Sequence, residues 1–441
     1  MREMDIKEKL LQRKAVIGVI GLGYVGLPIA LELIHKGYTV IGIDINEQRV
    51  SQLRKGESYI IDVPSKEIAA VIDNKLVVST DYRSVQNTDC ILVCVPTPLN
   101  EYKEPDVSYI VTVMDHIIPY IPKEVLIVLE STTYPGTTEE LITKRIEKEK
   151  GWEIGKDFYV CYSPERVDPG NTSFYVRNTP KVIGGETKSS LELGEILYRS
   201  FIEHVKCVSS TKVAEMSKLL ENTFRCVNIA MINEMTMMCE KMNIDIWETI
   251  EGATTKPFGF MTFYPGPGIG GHCIPLDPLY LAWKAKEYDY FNRFIELATD
   301  INSNMPRYTV IQIESLLNAK GKCIKGSKIL LLGMAYKKDI DDLRESPALK
   351  VYELLLNKGA LLSYHDPYAK QFRRDEEIVY SIDLTEELLR QMDLVIILTE
   401  HTKIDYRWVH EHAPLIFDTK NAMKELKSNK VFKLGQNMES I

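Results

Sequence analysis

Three groups of residues in this 441-residue chain combine side chains suited to chemistry with spacings that could bring them to bear. The first is Tyr264-Pro-Gly-Pro-Gly-Ile-Gly-Gly-His-Cys273-Ile-Pro-Leu-Asp277. Three glycines and two prolines fall between Pro265 and Gly270, and Gly271 extends the run, so the backbone here is shaped loop. Such a loop would deliver Cys273 as a reactive thiol. An ordinary thiol, with a pKa of about 8.5, is only slightly ionised at neutral pH, and cationic or hydrogen-bonding neighbours are what make it a nucleophile. A structural cysteine beside a turn is the competing reading of the loop taken alone. The second group, Lys218 and Asn222, lies four apart in AEMSKLLEN. On a helix they share a face and could hold a developing oxyanion, although a solvated surface pair has the same spacing. The third is Ser163-Pro-Glu165-Arg166-Val167-Asp168-Pro-Gly170, which sets a carboxylate suited to general-base work in a loop bounded by Pro and Gly.

Elsewhere the chemistry is that of nucleotide binding. Gly21-Leu-Gly23-Tyr24-Val25-Gly26 follows the apolar run AVIGVI and opens an amphipathic stretch to His35, and the next β-rich run, YTVIGID, ends at Asp44. A strand, a glycine turn, a helix and a strand with an acid at its end form a βαβ unit that cradles a pyrophosphate, the acid taking the ribose hydroxyls of NAD and repelling the extra phosphate of NADP. NAD is therefore the expected cofactor. Ser131-Thr132-Thr133-Tyr-Pro-Gly136 closes a later strand, at the edge where such sheets present ligands.

The elements that must position these residues fall into three stretches. Apolar runs at Leu76 to Val78, from Cys90 and from Val125, with helical patterns between, extend the first βαβ unit into a doubly wound parallel sheet over residues 1–205. Residues 206–318 show long helical periodicity, with a Met-rich face suited to core or to a subunit interface. Residues 319–441 return to strand, helix and strand: KILLLG, Pro347 to Asn357, and ALLSYHD. The expected fold is α/β, with two Rossmann-like doubly wound domains flanking a helical middle domain that contains a long central helix. Lys358-Gly359 stands before Asp366 as Lys36-Gly37 stands before Asp44, but the third stretch replaces the glycine turn with Gly333-Met-Ala-Tyr-Lys337-Lys338, which suggests a different phosphate ligand.

The formal charge of -8 gives no whole-surface reason to bind nucleic acid or an anionic membrane, so anionic substrates need a local basic pocket. No apolar run is long enough to span a membrane and the charged N-terminus is unlike a signal peptide, so a soluble, cytoplasmic protein is expected. The eight cysteines are scattered, without CxxC pairs or a histidine cluster, so no metal site is expected.

Eight blocks in order, GLGYVGL, CVPTP, STTYPGTT, SPERVDPG, AEMSKLLEN, TKPFGF through GPGIGGHCIPLDP, GMAYKKDIDDLRES and FDTKNA, resemble the UDP-glucose/GDP-mannose dehydrogenase family over essentially the whole chain. Within it the chain looks most like the branch acting on UDP-N-acetylglucosamine. The resemblance implies an NAD-dependent, four-electron oxidation of a sugar 6-hydroxyl through a thiohemiacetal and a thioester on Cys273, supplying polysaccharide precursors. By the same resemblance, Lys218 and Asn222 stabilise oxyanions, Glu165 is the acid/base, and Thr132 and Asp277 order the hydrolytic water. Tyr24, Val25, Pro96, Thr97, Ser131 and Thr132 join Gly21, Gly23, Gly26 and Asp44 around the cofactor. Arg166, Val167, Lys256, Phe263, Tyr264, Gly268, Gly270, His272, Lys337, Arg344 and Lys420 join Glu165, Lys218 and Asn222 around a UDP-sugar, with Lys420 standing where many relatives have Arg. The family also implies a homodimer or higher oligomer.

SPERV and GGHC favour an N-acetylated sugar, with the N-acetylglucosamine reading set beside N-acetylgalactosamine, N-acetylmannosamine and glucose. Two other classes compete: a single-step dehydrogenase of the hydroxyacid type, and a nicotinamide sensor without catalysis.

Overall fold

The runs read as strands are apolar along their whole length because both of their faces are covered, as helices on either side of a parallel sheet require. The computed structural model describes residues 4–60, 63–166, 173–271, 273–426 and 428–438. By its internal contacts the chain divides into two compact units, Met1–Glu221 with Leu279–Asp289, and Asn222–Pro278 with Tyr290–Ile441.

The first unit is built on eight strands: β1 (Val16–Ile20), β2 (Thr39–Ile43), β3 (Leu76–Ser79), β4 (Cys90–Val93), β5 (Val125–Leu129), β6 (Phe158–Tyr162), β7 (Lys181–Gly185) and β8 (Val205–Val208). Their order is β3-β2-β1-β4-β5-β6-β7-β8, so the chain switches direction across the sheet between β1 and β4, the crevice where doubly wound folds bind nucleotides. All neighbours are parallel except β6 and β7. That one reversal carries the amino end of β7 to the edge where β1 to β6 end. Separate apolar cores cover the two faces, one around Leu33, Leu92 and Leu197, the other around Ile91, Ile127 and Phe158.

The second unit carries a parallel sheet of β9 (Lys328–Leu332), β10 (Leu361–His365), β13 (Leu394–Ile397), β14 (Ile416–Asp418) and β15 (Val431–Lys433), ordered β10-β9-β13-β14-β15. A side hairpin pairs β11 (Gln371–Arg374) with β12 (Glu377–Tyr380). The helix Pro347–Asn357 links β9 to β10, Ser346 capping its first turn and Pro347 opening it, where a missing N–H costs nothing. From Thr211 to Ala319 the described residues form helices and loops only, including the 32-residue helix Thr211–Met242, roughly 48 Å long, and Arg293–Ala319. Two Rossmann-like sheets with a helical region between them in the chain are what the sequence implies. Among the described residues no helix is long and apolar enough to cross a membrane.

Candidate active site

At the carboxyl ends of its parallel strands the first unit gathers the residues expected around the cofactor. Gly21 follows β1 at φ 89°, and a Cβ there would sit 2.6 Å from the Cys94 carbonyl oxygen; a Cβ on Gly26 would sit 2.0 Å from the Gly21 oxygen. Gly23 has no heavy atom within 4 Å of that point. The outer glycines thus let the turn close on itself, and the middle one leaves the backbone bare toward a ligand. Asp44, after β2, accepts Leu22 N–H through Oδ2 and Asn46 N–H through Oδ1, each at 2.9 Å, which leaves acceptor capacity for ribose hydroxyls. Beside it a recess of about 280 Å³ is lined by Gly23, Tyr24, Asn46, Arg49, Gln52 and Tyr59. Arg49 lies 3.6 Å from Asp44 Oδ2, its guanidinium is 5.5 Å from the Tyr59 ring centre, and the Tyr59 hydroxyl donates to the Leu22 oxygen. These residues fit a dinucleotide. Arg49, Gln52 and Tyr59 were not singled out in the sequence; the helix that follows Asp44 could have pointed to the first two, whereas Tyr59, on a loop, carries no sequence signal.

The loops after β4 and β5 are tied together. Thr97 Oγ1 donates to the Thr132 oxygen at 2.7 Å, Ser131 Oγ to the Val95 oxygen at 2.6 Å, and Tyr280 OH to the oxygens of Thr97 and Pro98. Pro96, Thr97, Ser131 and Thr132 therefore share one edge. After β6, Glu165 Oε1 accepts the Arg166 N–H at 2.7 Å and Oε2 accepts from Lys181 at 3.2 Å. The Arg166 guanidinium grips both oxygens of Glu221 and donates to the Pro180 oxygen at 2.9 Å. Lys218 is 8% exposed, and among the described residues its amine has no hydrogen-bond or ion-pair partner. A nearly buried amine in that state is a strong sign of a ligand site. Val167, Asp168, Gly170 and His272 lie outside the described residues.

The second unit shapes the cysteine loop. Cys273 is exposed, and its carbonyl accepts from Leu276 N at 3.2 Å and Asp277 N at 2.9 Å, so one turn joins Cys273 to Asp277. Asp277 is 2% exposed, and its Oδ2 accepts from Asn222 Nδ2 at 2.5 Å. Upstream, Asn233 Oδ1 accepts the Gly266 N–H at 3.1 Å, and Asn302 bonds both Asn233 and the Cys226 oxygen, pinning the loop to two helices. A Cβ on Gly270 would lie 2.5 Å from Tyr336 Cβ, one on Gly271 2.7 Å from the Tyr336 ring, and one on Gly268 2.9 Å from Pro347. Gly271 N donates to the Arg344 oxygen at 3.0 Å. Lys420 belongs to the same neighbourhood, its Nζ lying 2.9 Å from where a Gly266 Cβ would be. Tyr264 stacks on Trp247 and Phe263 meets Phe224 edge-on. Lys337 lies in the turn that presents Tyr336, and Arg344 pairs with Asp342. Lys256 is exposed, with its Nζ 5.1 Å from the Phe258 ring centre, and among the described residues no hydrogen bond joins it to this loop.

Of the six expected catalytic residues, Asn222, Cys273 and Asp277 are brought together in the second unit, and Thr132, Glu165 and Lys218 stand in the first. The half-buried Cys94 thiol is held well above the usual range by desolvation, which outweighs the nearby Lys181. Cys90, Cys161, Cys226 and Cys239 are buried.

The glycine turn, the acid ending β2 and the recess beside it define a dinucleotide-binding domain of Rossmann type. The chain belongs to the UDP-glucose/GDP-mannose dehydrogenase family: residues 15–202 match its NAD binding domain, 212–304 its central domain and 330–425 its UDP binding domain. It is thus an NAD-dependent dehydrogenase of UDP-sugar type. It is 35% identical over 422 residues to a UDP-N-acetyl-D-mannosamine dehydrogenase of Methanococcus maripaludis, covering 92% of this chain and 93% of that protein. It is 36% identical over 353 residues to a UDP-N-acetyl-D-glucosamine 6-dehydrogenase of Pseudomonas aeruginosa, covering 80% and 82%. Among solved structures, the UDP-D-ManNAc dehydrogenase of Pyrococcus horikoshii matches with a TM-score of 0.86 at 32% identity, over 96% of this chain and all of that one.

Proposed function

We propose that the chain oxidises the 6-hydroxyl of a UDP-N-acetylhexosamine to the carboxylate, with Cys273 carrying the substrate between the two oxidations. The observation that carries this reading is the tie of Asn222 to Asp277 on the turn that begins at the exposed Cys273. Gly21, Gly23, Gly26 and Asp44, with Tyr24, Val25, Pro96, Thr97, Ser131 and Thr132, would hold NAD, which would supply the hydride acceptor for each oxidation. Glu165 takes the hydroxyl proton as the aldehyde forms. The Cys273 sulfur then adds to the aldehyde carbon as a thiohemiacetal, whose oxyanion Lys218 and Asn222 stabilise one helical turn apart. The second oxidation leaves a thioester. Water ordered by Asp277 and Thr132 cleaves it, releasing the uronic acid and restoring the thiol.

Lys256, Phe263, Tyr264, Gly268, Gly270, Lys337, Arg344 and Lys420 are proposed to hold the UDP-sugar, with Val167 and His272. Arg166 is proposed to shape the sugar end through its backbone, since Glu221 engages its guanidinium. UDP-N-acetylglucosamine is the first reading of the substrate, on TKPFGFMTFYPGPG. UDP-N-acetylmannosamine is the second, supported by the methanococcal and Pyrococcus relatives. Domain boundaries near residues 205 and 318 are proposed with it. So is a cytoplasmic homodimer or higher homo-oligomer, which the exposed stripe Val213, Met216, Leu220, Phe224, Met231, Met238 and Met242 on one helix supports.

The test is NADH counted per sugar across UDP-N-acetylglucosamine, its galacto and manno epimers and UDP-glucose: two for the preferred substrate, against one for a single-step dehydrogenase and none for a sensor. Cys273→Ser should bind NAD normally and yield no acid. Acid formation by that variant at the normal rate, or a wild-type enzyme that never shows an acylated Cys273 by mass analysis during turnover, would remove the covalent reading.

A further inference from the structure

Behind Glu165 lies a cluster that the mechanism above does not use. We propose that Lys181 is a positioning residue that holds and tunes Glu165 by sharing one buried ammonium between it and Glu130; this rests on Glu165 being the acid/base.

The reversal at β7 makes the arrangement possible. β6 and β7 pair Tyr162 with Gly184 and Cys161 with Gly185, and that register, extended, sets Lys181 across from Glu165. The Lys181 side chain is 2% exposed, and its three N–H bonds all have acceptors: Glu130 Oε2 at 2.5 Å, the Pro164 oxygen at 3.0 Å and Glu165 Oε2 at 3.2 Å. Glu130 is sealed off, its other oxygen taken by the Tyr198 hydroxyl. Glu165, at 13% exposure, is the more open carboxylate of the two.

A strut between β5 and β7 would need only the Glu130–Lys181 pair, and an apolar pair of similar volume would serve as well or better. The further bonds to Pro164 and Glu165 run to the loop that carries the acid/base. The charges also set the chemistry. One ammonium faces two carboxylates, so whatever charge Glu130 carries is charge that Lys181 shares away from Glu165. Burial pushes Glu130 up despite Lys181, and Lys181 itself stays above its ordinary value because the two carboxylates outweigh its burial. Also facing the cluster among the described residues are the Cys94 thiol, the Tyr198 phenol with the Ser163 hydroxyl beside it, and the Arg166 N–H.

The two partners therefore act on Glu165 with opposite sign. Glu130→Gln, close to isosteric, leaves the ammonium to Glu165 alone and should move the acidic limb of the kcat/KM profile down by about one pH unit. Lys181→Met removes the ammonium and should move it up by about one unit or more. A merely structural role would change Tm and rate without moving the limb in opposite directions. A limb unmoved in Glu130→Gln, or moved the same way in both variants, overturns the proposal; if Lys181→Met does not fold, Glu130→Gln decides alone. Glu165→Gln separates the levels: wild-type turnover there removes the acid/base reading itself, whereas an inactive Glu165→Gln beside an unmoved Glu130→Gln limb removes only the role of Lys181.

Discussion

Gly21 and Gly333 stand at the same point of their two sheets, just past the first strand, at φ 89° and 83°. Each aims its missing Cβ at a carbonyl from the next strand across the switch point, 2.6 Å from Cys94 and 2.3 Å from Thr399. The acids that end the second strands match as well: Asp44 takes the N–H groups of Leu22 and Asn46, and Asp366 those of Met334 and Tyr368. There the likeness stops. Asp366 also takes Ala335 N, Ala369 N and His401 Nε2, and it is fully buried. His401 Nδ1 accepts the Asp339 N–H at 2.9 Å, which assigns the ring proton to the nitrogen facing Asp366. One skeleton therefore supports two uses of an acid: in the first sheet it keeps capacity for a ribose, and in the second it is consumed as an internal brace.

That contrast can be broken most severely at the glycines the second turn has lost. Gly26→Ala forces a Cβ to 2.0 Å from the Gly21 oxygen, and NAD affinity should fall on the order of a hundredfold or more, ~3 kcal/mol. Lys338→Ala, at the matching place in the second turn, should leave the NAD titration unchanged. Normal NAD binding by Gly26→Ala would show that the first turn does not need its close approach.

The acids come next. Asp366→Asn, which sets a neutral amide among five donors, should cost about 2–4 kcal/mol in urea unfolding. Asp44→Asn should leave the midpoint nearly in place and narrow the preference for NAD over NADP about tenfold. Equal destabilisation by the two would erase the distinction. Acidity sharpens the same point. Burial pushes Asp366 up, but its bonds to His401 and to the backbone N–H groups win and hold it at about 2, below its ordinary 3.8. Its folded value is the lower one, so its contribution, about 2 kcal/mol, is present above pH 3.8 and lost as pH falls through about 2. Urea midpoints of the wild type should drop over that range more steeply than those of Asp366→Asn. The smallest effect expected is from Lys420→Arg, whose side chain borders Gly266: a severalfold change in the KM for the UDP-sugar at unchanged kcat. An unaltered KM would take Lys420 out of the substrate's reach.

Much of this was legible beforehand. The runs ending at Ile20, Ile43, Val93 and Leu129 are strands because continuous apolar character leaves no solvent face, the helix Gly26–His35 follows from the glycine turn before it, and Pro347–Asn357 carries its own start signal in Ser346 and Pro347. Lys181 was not legible: at the head of KVIGG it reads as a solvated lysine, and its burial follows from a strand reversal that no single-strand pattern encodes. His401 was missed because its partner lies on another strand. Arg166, read as a contact for the sugar, gives its guanidinium to Glu221, a long-range pairing that spacing does not reveal. The cysteine loop was recognised by its glycines, but not Tyr336, whose Cβ and ring crowd Gly270 and Gly271 in turn.

That ring has a consequence for how such chains can drift. A methyl group gained at Gly271 meets that ring, and one gained at Gly270 meets the Tyr336 Cβ, the Glu345 oxygen and Pro347, so neither glycine can change while the turn after β9 keeps its contour. The two segments, distant in the chain, are free to vary only as a matched pair, so a loop transplanted from a relative should succeed when the turn after β9 travels with it.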